Sequence, residues 1–224
     1  MCYNLKMKIN FDIGVKVNRV VKFLVLSDLL FLGGWSMVQP IFSIFVVTKV
    51  AGATIVTVGL ITGLYWLVKS VLQMPVANYL DGHDGEKDDF YALLISLSLA
   101  AVAAFMLSKT STLWQLFLAQ FLYAIAMGFY VPSWAAIFSR HLDSKRFSFD
   151  WSLDSTVVGL TSFVSAILAG VLAQKFGFSV VFFIVGVLSL ASVILLFMVP
   201  DLIIPKVKKE EQIIEDHSVR GIGR

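Results

Sequence analysis

Residues 179–199 read SVVFFIVGVLSLASVILLFMV, 21 residues without one charged side chain. About 20 apolar residues wound as a helix cross the hydrocarbon core of a bilayer, so this stretch is long enough to span. The run is continuous rather than alternating, which excludes a strand of a membrane barrel. Working back along the chain, the same reading fits Val21 to Thr48, Thr54 to Leu80, Phe90 to Leu107, Leu113 to Phe138 and Trp151 to Gln174. The segments between them are short and polar. The expectation is an all-α, polytopic membrane bundle of six transmembrane helices over 21–200, with a cytoplasmic segment at 1–20 and a cytoplasmic tail at 201–224.

Composition agrees with that class. Of 224 residues, 58% are hydrophobic and only 15% charged, with a mean hydropathy of +0.85. A soluble globular domain, a disordered chain and a sequence-reading nucleic-acid binder all require more polar surface than this. Cys2 is the sole cysteine, so an internal disulfide is impossible. The net charge of +3 matters less than where the charges fall. With the N-terminus inside, the inner segments hold Lys6, Lys8, Lys16, Arg19, Lys22, Lys87, Arg140, Lys145, Arg146, Lys206, Lys208, Lys209, Arg220 and Arg224, whereas the outer loops hold Lys49, Lys109 and Lys175. That is 14 against 3, and the excess of Lys and Arg on one side places both termini in the cytoplasm of a cell (plasma or inner) membrane.

Polar residues inside the spans mark faces that do not meet lipid. On a helix advancing ~100° per residue, Asp28, Trp35 and Gln39 of span one lie on one side. Tyr65, Lys69 and Gln73 repeat every four residues in span two, and Gln120, Tyr123, Met127 and Trp134 share a side of span four. In span five Asp154, Thr161 and Ser165 follow the same rule, with Trp151 one turn before them. Spans three and six carry nothing more polar than Ser96, Ser98, Ser189 and Ser192 between their ends and are expected to support the others. A charge at membrane depth needs a partner or a wet cavity, so Asp28 and Lys69 are expected to pair across an inward-facing cavity. Pro40, Pro75 and Pro132 are candidate kinks. Gly59 with Gly63, and Ala166 with Gly170, are small-residue steps expected to allow close helix packing. No catalytic residue, cofactor or metal site is expected: His83, His141 and His217 all lie in loops or the tail, and neither His-Glu-x-x-His nor Gly-x-Ser-x-Gly occurs.

The loop Asp81-Gly82-His83-Asp84-Gly85-Glu86-Lys87 after span two resembles the Gly-x-Leu-x-Asp-Arg-x-Gly-Arg-Lys loop of the major facilitator superfamily. Asp81 matches, and Lys87 stands for the final base. Ala77 replaces the first glycine, Gly82 replaces the arginine, and Gly85 comes one residue late. Span four has Ala124 before Gly128 where many members carry Arg-x-x-x-Gly, and span five lacks the Gly-Pro pair of drug antiporters. The resemblance implies one six-helix half of such a transporter, in which helices one, two, four and five line a solute path and three and six support them. The pathway residues would be Asp28, Trp35, Gln39, Tyr65, Lys69, Gln73, Gln120, Tyr123, Asp154 and Thr161, with Asp81, Gly85 and Lys87 as a gating loop. It also implies a small-molecule solute, a lipid bilayer and a second six-helix half as partners, and no nucleic acid. The second half could be another copy of the chain, a different chain, or further residues of a longer protein. A membrane module that captures solute for a larger importer, or a scaffold, is the alternative.

Overall fold

A computed structural model describes residues 18–82, 86–142 and 146–199. Its helices are α1 (Arg19–Trp35), α2 (Gln39–Lys49), α3 (Ile55–Asp81), α4 (Glu86–Ser108), α5 (Leu113–His141), α6 (Phe147–Phe176) and α7 (Phe178–Phe197). Counting α1 and α2 as one traverse, six helical spans among the described residues are long and apolar enough to cross a membrane. The fold is therefore the all-α bundle read from the sequence.

The first span is interrupted just before Pro40, one of the three candidate kinks. It breaks at residues 36–38, where the backbone tightens so that Met37 N–H bonds Gly34 O (3.0 Å) and Val38 N–H bonds Trp35 O (3.0 Å). Pro40 lies in the first turn of α2. It has no amide to offer the carbonyl of Ser36, so an unbroken helix would lose that bond. Pro75 and Pro132 sit inside unbroken helices instead.

Chain entries and turns are specified locally. The Asn18 side chain accepts from Val20 N–H (3.1 Å) to cap α1 and donates to the His141 carbonyl (3.0 Å), which ties the start of α1 to the end of α5. Gln115 folds back to accept from the amides of Ser111 (2.9 Å) and Thr112 (3.3 Å) ahead of α5. Gly177, at φ +85°, makes the one-residue turn between α6 and α7, a backbone state that side chains other than hydrogen disfavour.

Packing centres on α4, α5, α7 and α1. Within a bilayer, helices associate by close van der Waals contact, and small residues permit it. Ala100, Ala103 and Ala104 of α4 and Ala119 and Ala126 of α5 are fully buried, as are Phe31, Phe138 and Phe182. Helix α4 lies against α5 and α7, and α7 against α1. Serines add cross-links: Ser192 of α7 bonds Ser27 of α1 at 2.6 Å. Spans three and six thus form much of the buried interior. By contrast α3 buries only Ile61 and Leu80, and α6 only Asp150, Asp154, Ser165 and Ala169.

The glycines that permit close approach are not those expected. A Cβ at Gly59, Gly63 or Gly170 would meet nothing within 4 Å, because these positions lie on the outward sides of α3 and α6. The tight crossings are at Gly33 against the Thr161 methyl, Gly128 against Leu72, and Gly186 against Phe105.

Candidate solute cavity

A cavity of about 1000 Å³ opens between the spans. Its wall comes from α1 and α2 (Leu32, Trp35, Gln39, Pro40, Phe42, Ser43), the turn between them (Ser36, Val38), α3 (Thr62, Tyr65, Trp66), α5 (Gln120, Tyr123, Met127) and α6 (Val158, Ser162, Ala166). Neither α4 nor α7 contributes. Spans one, two, four and five therefore line it, the four whose faces carry polar residues in the sequence.

Aromatic rings form one side. Trp35 and Tyr123 stack at 3.6 Å with a 14° interplanar angle. Tyr65 continues the stack on Tyr123 at 5.3 Å and 15°, and Trp66 meets Tyr65 edge-on at 5.2 Å. The break in span one builds the polar side. It frees Ser36 to donate to the Leu32 carbonyl and to bond Ser162 of α6, both at 2.7 Å. Beyond the break, α2 turns Gln39 and Ser43 to the cavity. The Trp35 indole N–H is buried with no hydrogen-bond partner.

Of the ten pathway residues expected, Trp35, Gln39, Tyr65, Gln120 and Tyr123 line this cavity. The others are elsewhere. Asp28 and Lys69 do not pair. Asp28 is 1% exposed and accepts a hydrogen bond from the Tyr130 hydroxyl of α5. The Lys69 ammonium instead lies 4.9 Å over the Trp66 ring and 5.9 Å over Tyr65. The helical rise separates the two zones: Asp28 is seven residues, ~10 Å, before Trp35, on the N-terminal side of the cavity. Asp154 is also buried there and interacts electrostatically with Asp28. Its Oδ1 has no hydrogen-bond partner. Thr161 bonds the Val157 carbonyl (2.8 Å) and packs its methyl on Gly33, so it joins α6 to α1 and is not among the residues lining this cavity. Gln73 is half-buried and outside the wall.

In the expected gating loop, Asp81 and Lys87 are exposed, and Gly85 lies outside the described residues. The ionic contacts at that end of the bundle are formed one helix later. Asp89 of α4, fully buried, pairs with Arg140 of α5, and Glu86 lies 3.7 Å from His141. Sequence reasoning also passed over Tyr130, although it continues the face of Tyr123, Met127 and Trp134. Ser36, Ser43, Thr62 and Ser162 carried no signal, because isolated hydroxyl residues are common in membrane helices.

The chain matches the family described as Major Facilitator Superfamily over residues 24–220. A solved structure titled as an in meso crystal structure of the POT family transporter PepTSo is similar in fold, with a TM-score of 0.69 at 15% identity. The match covers 82% of this chain and 38% of that one, so the chain spans well under half of its length. No curated protein matches.

Proposed function

The chain belongs to the major facilitator superfamily, and from that membership we propose that it is a membrane carrier of a small solute, acting by alternating access as one of two six-helix units. The observation that carries the reading is the wall of the cavity. All four spans with polar faces contribute to it and the other two do not, an arrangement that serves a solute path and that a purely structural bundle does not need. The second unit is a second copy or a second six-helix half, set against the outward faces of α3 and α6. Both termini are on the cytoplasmic side, as the distribution of Lys and Arg supports. In this reading the Asp89–Arg140 pair ties α4 to α5 at the cytoplasmic end and Gln39, Gln120 and Tyr123 meet the solute. The alternative, a membrane module that holds a partner without moving solute, is favoured by Gly82 and Ala77 in the loop that carries arginine and glycine in the family.

Site-directed labelling tests the carrier reading without a known solute. With Cys2 replaced by serine, Ser43→Cys and Ser162→Cys are each exposed to a membrane-impermeant maleimide from either face of sealed vesicles. Alternating access requires both positions to react from both faces. Reaction from one face alone, under all conditions, refutes it. Native mass spectrometry of the full chain released from nanodiscs then tests the pairing of two copies.

A further inference from the structure

We infer that the groove between the adjoining ends of α4 and α5 is a binding site for a phospholipid of the surrounding bilayer, with Lys109 at its phosphate. The groove has a volume of about 400 Å³ and is lined by Val102, Phe105 and Met106 of α4, Lys109 of the following turn and Gln115 of α5. It lies at the end of these two helices opposite Asp89 and Arg140. No described residue of α3 or α6 lines it. A second six-helix unit set against those helices therefore leaves it open to lipid, and the inference stands apart from the carrier reading.

Two kinds of surface meet in the groove. Val102, Phe105 and Met106 form an apolar floor, and Val102, 49% exposed, lies six residues, ~9 Å, below Ser108 at the end of α4. That floor is long enough for a segment of acyl chain. At the rim the polar groups only donate. The Gln115 side-chain oxygen is committed to the amides of Ser111 (2.9 Å) and Thr112 (3.3 Å), so its NH2 group is what remains for a ligand. The Lys109 ammonium is exposed, and no carboxylate among the described residues forms an ion pair with it. The three turns at this end, residues 49–53, 108–112 and 175–178, hold Lys49, Lys109 and Lys175 and no Asp or Glu. Donors and a positive charge above an apolar floor complement a phosphate above an acyl chain, while the lysine stem lies along the apolar surface. The rim is also fixed in place. Ser179 donates to the Ser108 carbonyl and Ala51 N–H to the Ser111 carbonyl (3.0 Å), which anchors the turn that carries Lys109 to α7 and to the turn after α2. Trp114, next to Gln115 and 71% exposed, is of the residue type that sits at headgroup level.

The test is native mass spectrometry of the full chain released from nanodiscs of phosphatidylglycerol, phosphatidylcholine and diacylglycerol in equal parts. It reads bound lipid by mass, separately from any pairing of copies. One phospholipid, of either headgroup, should stay on each chain, while diacylglycerol, which lacks the phosphate, does not. Lys109→Gln should lower that retention roughly five-fold, the contribution of one lysine at a lipid surface, and Lys109→Arg should keep it. Val102→Trp fills the floor with the lysine intact and should lower retention by a similar factor. Lys175→Gln, which removes another exposed lysine at the same end, should leave it unchanged. Diacylglycerol retained as well as the phospholipids overturns the inference, because the phosphate would then add nothing. Equal retention by the parent and Lys109→Gln, or an equal loss in Lys175→Gln, also overturns it, since either describes the general lipid shell and not a site. Full retention in Val102→Trp moves the lipid off the groove and overturns it too.

Discussion

Replacing Arg140 by methionine should destabilise the bundle by about 3 kcal/mol, the low end of the range for removing one partner of a buried pair. The magnitude follows from the asymmetry of the contact. The Asp89 side chain is 0% exposed, while that of Arg140 is 36% exposed. Without the guanidinium the carboxyl is left in the interior with no counter-charge, and its Oδ1 already has no hydrogen-bond partner. The first turn of α4 offers partial relief, since a helix N-terminus favours negative charge by a fraction of a kcal/mol. Removing both groups, as Arg140→Met with Asp89→Leu, eliminates the stranded charge and should return stability to within about 1 kcal/mol of the parent. Unfolding in bicelles, followed by loss of helicity on titration with dodecyl sulfate, gives the four corners of the cycle. A double variant as unstable as Arg140→Met alone would refute the reasoning, because the cost would then lie in lost packing of the arginine stem rather than in an uncompensated carboxyl.

Other expectations concern the crossings and the buried acid. Gly186→Ala puts a Cβ 2.6 Å from Phe105 Cε1 and should cost about 1–3 kcal/mol by overpacking; thermal melting should show partial recovery when Phe105→Leu is added. Tyr130→Phe deprives Asp28 of its donor, and a loss of about 1–3 kcal/mol is expected for the orphaned acceptor. In the Asp28→Asn background the same change should cost less, a difference that paired unfolding titrations read directly. A Cβ at Gly59 meets nothing within 4 Å in this chain, and the position is exposed, so Gly59→Leu should not lower the melting temperature. If α3 faces a second copy, native mass spectrometry should find fewer dimers; an undiminished dimer places the interface elsewhere.

The spans were legible in the sequence because membrane insertion is decided locally: a run such as 179–199 is committed by its own composition. Long apolar runs separated by Asp81, Ser108 or Lys175 leave little freedom about where helices end, and the observed ends differ from the expected ones by a few residues. Helical periodicity likewise selected the four spans with polar faces, and Trp35, Gln39, Tyr65, Gln120 and Tyr123 were found on that ground. Depth and partnership were not legible. The periodicity that puts Asp28 and Trp35 on one face does not tell that α5 meets the first with Tyr130 and the second with Tyr123. Nor does it tell that the Lys69 stem swings to the rings of its own helix, where a cation gains attraction without crossing to another span. The packing of α4 and α7 into the interior, and the outward placement of Gly59 and Gly63, depend on which faces meet. In a bilayer nearly all faces are apolar, so hydropathy cannot rank them, and the choice falls to the fit of side chains across helices. Composition and period determined the class of the protein, its spans and its wettable faces; only the tertiary contacts decided which polar groups surround the cavity and which are consumed in holding the helices together.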